Sequence, residues 1–216
     1  MRGVQQLPRL RITEVYSSIQ GESTHAGRPC TFIRLTGCNL RCAWCDSEYT
    51  FTGGTWWTLR RIMSTVKKLG IPLVQITGGE PLLQEDCYKL MNALVDEGYE
   101  VLLETSGSVC TVNVPTPVKT IMDLKAPSSG ESDKNLLRNM DLLQEHDEVK
   151  IVIASRKDYR WARDIMSQYE ATYLLSPAWG IIEPADLAAW MMKDKVAARM
   201  QVQLHKILWP DAERGV

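Results

Sequence analysis

The chain has 216 residues, enough to bury a core of its own and the size of one ordinary domain. Its 25 basic and 26 acidic residues balance to a formal charge of -1, which removes the usual electrostatic argument for a nucleic-acid or anionic-membrane surface and leaves a small molecule as the expected partner. No uninterrupted apolar run reaches the length of a membrane span, and residues 1–18 lack the apolar core and small-residue cleavage site of a secretion signal, so a cytoplasmic protein of one domain, 1–216, is expected.

In chain order, short apolar runs rich in Val, Ile, Leu or Tyr recur at 31–37, 72–79, 99–107, 118–127, 148–155, 172–177 and 199–207. Each ends in or near Gly, Pro or Ser, as buried strands with polar exits do. Between them lie stretches with helical spacing. Residues 59–69 put Leu59, Ile62, Met63, Val66 and Leu69 on one face, with Thr58 as N-cap and Gly70 as stop. Helices are also expected within 82–98 and 183–194, and a further one around 134–146. Strand then helix, repeated about six times, predicts an α/β fold of parallel strands joined by right-handed crossovers. Periodicity leaves open whether that sheet stays flat or curls into a partial barrel. Ligands of such sheets bind at the strand C-terminal ends, where Cys38, Thr77 to Pro81, Glu104 to Gly107, Asp123 to Lys125 and Ser176 fall.

Six cysteines in a reducing compartment do not suggest a disulfide framework. Cys30, Cys87 and Cys110 stand alone and read as buried apolar residues. Cys38, Cys42 and Cys45 crowd into "GCNLRCAWC", where Gly37 and Asn39 favour a loop over a helix. A structural zinc site wants four ligands, and a redox dithiol would leave Cys38 unexplained. Three thiolates suit a cubane iron–sulfur cluster with one iron left open to a small molecule. His25 or Cys30 could still complete a zinc site, so a zinc protein or a plain electron carrier stays open on the residues alone.

Cys38-x3-Cys42-x2-Cys45 with Trp44 before the last cysteine, followed by "TGGEP" at Thr77 to Pro81, resembles the radical S-adenosylmethionine enzymes. Within them, "EVYSSIQGESTHAGRPCTFIRLTGCNLRCAWCDSEYTF" at 14–51 and "QLHK" at 203–206 are similar to the 7-carboxy-7-deazaguanine synthases. The resemblance implies a partial (β/α)6-type barrel, a 4Fe-4S cluster on Cys38, Cys42 and Cys45, S-adenosylmethionine on the open iron, and Mg2+. It implies a carbon–nitrogen lyase of queuosine and 7-deazapurine biosynthesis that contracts 6-carboxy-5,6,7,8-tetrahydropterin to 7-carboxy-7-deazaguanine with loss of ammonia. An external one-electron reductant of the flavodoxin or ferredoxin class and a homodimer are expected on the same ground.

By the same resemblance, Trp44, Cys45, Asp46, Gly78, Gly79, Glu80, Ser106, Asp123, Lys125 and Ser176 face S-adenosylmethionine. Many relatives read Ser-Pro-Lys where this chain reads Asp123-Leu124-Lys125, so Lys125 carries over better than Asp123, which an ion-pair role also explains. Ile19, Gln20, Gly21, Glu22, Arg34, Thr77, His205 and Pro210 are expected at the substrate. An amide or carboxylate side chain reads the paired N–H edge of a pterin, and a planar guanidinium binds its carboxylate. Ser47 stands at the family's magnesium position, often Thr; one hydroxyl cannot fill an octahedron, so substrate oxygens and water would complete it. His205 and Lys206 fall on the last strand run. In some relatives the chain ends at the proline matching Pro210, but here six residues follow, so Asp211 or a backbone group would have to take over that contact. An activase that places a glycyl radical on a partner protein shares the cluster motif and remains the rival enzyme; "IQGE" and Arg34 argue against it.

Overall fold

The Val- and Ile-rich runs form strands of a single nine-stranded sheet in the computed structural model, which describes residues 7–212 and 214–216. The strands are β1 (Arg9–Ile19), β2 (Pro29–Leu35), β3 (Thr55–Thr58), β4 (Leu73–Gly78), β5 (Glu100–Thr105), β6 (Lys119–Leu124), β7 (Glu148–Ile153), β8 (Thr172–Pro177) and β9 (Arg199–Met200), in spatial order β3-β1-β2-β4-β5-β6-β7-β8-β9. From β2 onward every pairing is parallel, whereas β1 runs antiparallel to both β2 and β3. The order does not close on itself, as in a partial barrel.

The all-parallel expectation fails at β1 and β3. β1 reads RLRITEVYSSI and is only half buried along most of its length, so it presents no continuous apolar run, and β3 is four residues at an edge. The predicted last strand also shrinks. Only Arg199 and Met200 pair, Gln201 donates one further backbone bond to Leu175, and Leu204–Leu208 forms a short helix. His205 and Lys206 therefore sit on a helix.

Helices α1 (Leu59–Leu69), α2 (Asp86–Asp96), α3 (Arg156–Met166) and α4 (Pro184–Asp194) cover the outer face, and α5 is Leu204–Leu208. In α1 the Thr58 hydroxyl accepts from the Arg61 amide, and Gly70 ends the helix at φ 71°, a left-handed position that glycine takes without strain. Ile62 and Val66 are fully buried beneath it. α3 does not stand out in the sequence because it is rich in Arg, Lys and Asp, yet it buries Tyr159, Ala162 and Ile165 and is capped by Ser155. The helix expected around 134–146 is absent: 3-10 turns occupy 132–134 and 137–142. The fully buried Asn139 explains this, since its side chain bonds the backbone of Gly107, Val109 and Thr111 and pulls the segment onto the β5–β6 connection. That connection carries no α-helix either.

Alternate residues divide the sheet. Ile33, Leu35, Val74, Ile76, Leu103, Val149 and Ile151 face the helices. On the other face Cys30, Phe32, Leu73, Leu102 and Ile121 form a small apolar layer, and the next residues of the same period, Arg34, Gln75, Glu104 and Asp123, are polar. Cys30 and Cys87 are buried as expected, and Cys110 is half-buried. Among the described residues no helix is long and apolar enough to cross a membrane.

Candidate active site

The polar half of the inner face opens into a cavity of about 840 Å³, within the range of small-molecule sites. One wall is the loop after β2. Its cysteine-bearing part, 36–47, has no regular structure, as Gly37 and Asn39 suggested, a 3-10 turn follows at Glu48–Thr50, and the loop is held by backbone bonds from Gly37 to Thr50, Glu80 to Gly37 and Ala43 to Ser129. Arg41 lies 4.1 Å over the Phe51 ring. Cys38, Cys42 and Cys45 are free, half-buried, and all line the cavity. Burial raises the Cys38 thiol above its ordinary pKa and pushes Cys42 up to about 11 in the metal-free chain. Among the described residues no three His, Cys, Asp or Glu side chains close on one point as a single metal ion requires. Three thiols around a shared space, without a fourth, fit a multi-iron cluster with one open position better than they fit zinc.

The glycines at the end of β4 answer to the chain itself. A Cβ on Gly79 would lie 2.3 Å from the Gly37 carbonyl oxygen and 2.6 Å from Cys38 Cβ, and one on Gly78, at φ 149°, would lie 2.3 Å from the Leu35 oxygen. The resemblance places both glycines at S-adenosylmethionine; packing on β2 and on the cysteine loop requires their bare backbone in any case. Glu80 is fully buried and does not line the cavity. Its carboxylate accepts from the Leu82 and Ser106 amides at 3.0 and 2.8 Å and from the Thr105 and Ser106 hydroxyls at 2.9 and 2.5 Å, so it ties the β4 end to the β5 end. Gly78, Gly79 and Ser106 border the cavity above it.

Segment 20–28, which follows the antiparallel β1, enters from the opposite end of the sheet to the cysteine loop. Its Thr24 amide bonds the buried Glu148 at the start of β7, which also pairs with Lys119 at 2.6 Å. The segment thus brings Gln20, Gly21 and Glu22 to the cavity floor. There Lys150 Nζ meets Glu22 at 2.7 Å, Glu104 at 2.5 Å and Asp123 at 3.2 Å, and Asp123 also pairs with Lys125 at 3.1 Å. Gln75 and Thr77 donate to the second Glu104 oxygen at 2.9 and 3.1 Å, and Gln20 donates to Gln75. Burial raises the Glu22 pKa. For Asp123 and Glu104 burial acts the same way, but the lysines outweigh it and both are lowered. Burial disfavours the charged Lys150, yet its three carboxylates hold its pKa well above the ordinary value. Asp123 Oδ1 is buried without a hydrogen-bond partner among the described residues.

Arg34 is half-buried on β2. Its Nε donates to Glu14 at 2.8 Å, one Nη donates to the Tyr16 hydroxyl, and Tyr16 and Tyr49 flank the guanidinium. Arg34 lines the cavity. Across it, α5 is pinned to both substrate-side loops. The Leu204 amide bonds the Gly21 oxygen, and a Cβ on Gly21 would meet the His205 ring at 2.2 Å. Gln203 and Lys206 reach Asp46 at 3.2 and 2.9 Å. Partial desolvation would raise the half-exposed Asp46 carboxyl, but Lys206 and Gln203 bring it down to about 2. Burial lowers the His205 pKa, leaving a neutral ring. Ser47 makes no capping hydrogen bond, and its hydroxyl lies 3.8 Å from Cys45 Sγ at the cavity wall. Trp44, Ile19 and Ser176 line the cavity, whereas Pro210 does not. Beyond Pro210, Arg214 lies 4.5 Å over the Tyr49 ring, and the Tyr16 hydroxyl donates to the Val216 oxygen at 2.9 Å.

Lys150, Gln75, Glu14, Tyr16 and Tyr49 were not singled out in the sequence, and Glu104 was noted only for its place at a strand end. The available signal was a lone polar residue inside an apolar strand: Gln75 in LVQIT, Glu104 in VLLET and Lys150 in VKIVI.

Comparison with known proteins agrees with this geometry. The Radical SAM superfamily model matches residues 32–129. A 7-carboxy-7-deazaguanine synthase of Koribacter versatilis is 45% identical, with 96% of this chain and 100% of that protein covered. One of Chlorobaculum tepidum is 43% identical, covering 96% and 97%. The crystal structure of QueE from Escherichia coli superposes with a TM-score of 0.76 at 22% identity over 91% of this chain and 95% of that one, which establishes the partial-barrel fold.

Proposed function

Because the chain belongs to the 7-carboxy-7-deazaguanine synthase family of radical S-adenosylmethionine enzymes, we propose that it acts as a carbon–nitrogen lyase on 6-carboxy-5,6,7,8-tetrahydropterin, releasing ammonia and 7-carboxy-7-deazaguanine. The observation that carries the substrate is the junction, in one cavity, of a three-thiol loop with a floor of carboxylates, amides and one arginine.

The family's cofactors are a 4Fe-4S cluster and S-adenosylmethionine, which together supply the radical that begins the reaction by removing a hydrogen atom. Cys38, Cys42 and Cys45 hold the cluster. Gly78, Gly79, Ser106, Asp123, Lys125 and Ser176 seat the cofactor's amino-acid and ribose groups, with Trp44, Cys45 and Asp46 toward its adenine. Asp123 Oδ1 is a free acceptor for a hydroxyl or ammonium, and Glu80 acts from beneath by fixing Ser106. Ile19, Gln20, Gly21, Glu22, Thr77 and His205 orient the pterin, and Arg34 takes its carboxylate with the edge that Glu14 leaves free. Ser47, substrate oxygens and water hold Mg2+. Pro210 lies outside the cavity lining and is not among these groups. A homodimer and a flavodoxin- or ferredoxin-class reductant complete the proposal.

The test is anaerobic reconstitution followed by incubation with the carboxypterin, S-adenosylmethionine and reductant. Mass spectrometry should find the deazaguanine acid with one ammonia per product. Zinc at one per chain with no cleavage of S-adenosylmethionine would refute the assignment.

A further inference from the structure

Lys150 sits 4% exposed in the middle of β7, between Val149 and Ile151, and no role given above requires a cation there. A buried ammonium is costly unless paired, and its pairing is unusually complete. Glu22 comes from the segment after β1, Glu104 from β5 and Asp123 from β6. The contacts close a ring: Lys150 to Glu104, Gln75 to Glu104, Gln20 to Gln75, the Glu22 amide to Gln20 at 3.2 Å, and Lys150 back to Glu22. Both oxygens of Glu104 are used within it. Among the described residues only Oε2 of Glu22 accepts a side-chain hydrogen bond, and Glu22 lines the cavity.

We propose that Lys150 is a positioning residue for the substrate: it ties Glu22 to Glu104 so that the free Glu22 oxygen is presented, as a carboxylate, to the paired N–H edge of the heterocycle. The inference rests on the carboxypterin reading above. The charged groups facing Lys150 are Glu22, Glu104, Asp123, Lys125 and Asp46, and the titratable His205 ring faces it as well. Burial pushes the Glu22 pKa up and Lys150 opposes that rise. Removing the ammonium lets the pKa climb further, so the carboxylate is lost at higher pH as the solution is acidified.

The experiment compares reconstituted wild-type enzyme with Lys150→Met and Lys150→Arg, after thermal melts confirm folding. Calorimetric affinity for the carboxypterin and the pH profile of kcat/KM are the readouts. Lys150→Met should bind about 100-fold more weakly, and its acid limb should move to higher pH. Lys150→Arg should return the limb toward wild type while KM stays raised, because charge is kept and reach is not. If Lys150→Met does not fold, Lys150→Met/Glu104→Gln is judged by the same affinity and pH criteria. A folded variant with wild-type affinity and an unmoved acid limb would overturn the role of Lys150. Wild-type enzyme that neither binds nor converts the carboxypterin would instead overturn the substrate reading.

Discussion

Gly79 is held to a bare backbone by its contact with Gly37 and Cys38, so the position couples folding to cluster binding through a single missing methyl group. Gly79→Ala should displace the cysteine loop, costing about 1–3 kcal/mol as overpacking does and lowering the iron bound per chain after reconstitution; denaturation curves and iron analysis check both. Cys42→Ala acts on the same loop without crowding it. With one of three thiolates gone, it should form no deoxyadenosine from S-adenosylmethionine under reducing conditions, as chromatography would detect. Glu80 differs from its neighbours in that its carboxylate is spent on Leu82, Thr105 and Ser106. Its replacement is therefore expected to loosen two strand ends together.

Short elements carry the precision of the cavity. α5 has five residues, too few to persist alone, and is fixed by contacts to Gly21 and Asp46. Asp46 provides a readout of that attachment. Its carboxyl lies at about 2 in the folded chain against an ordinary 3.8, so the stabilisation from pairing is complete above the ordinary value and is lost as pH falls from there toward 2. Lys206→Met should raise the Asp46 pKa, so that the contribution disappears at higher pH; carbon-13 NMR titration of the side-chain carboxyl measures it. α1 supplies a contrast, because its boundary is set locally. Thr58→Ala removes the acceptor for Arg61 N and should cost about 1 kcal/mol in urea denaturation without altering the cavity.

At the scale of the whole molecule, one inner sheet face is apolar at one level and polar at the next, and two loops enter from opposite ends to complete it. Much of this was legible. The strand runs, the α1 caps and the cysteine spacing are local patterns, and they located the cysteine loop and the cavity-lining Thr77, Ser106 and Lys125. β1 and β3 were not legible because half-buried and edge strands lack an apolar run, and the 137–142 turn was misread because Asn139 overrides helical spacing through contacts 28 to 32 residues away. Lys150 was missed for a related reason: its partners lie 128, 46 and 27 positions away, so only folding brings them together. The cavity of about 840 Å³ has thiols and glycines on one wall and the Lys150 ring on its floor, an arrangement for two ligands side by side. Calorimetric titration of reconstituted enzyme tests this most directly. The carboxypterin should bind one per chain whether or not S-adenosylmethionine is already saturating, whereas competition between the two for a single place would contradict it.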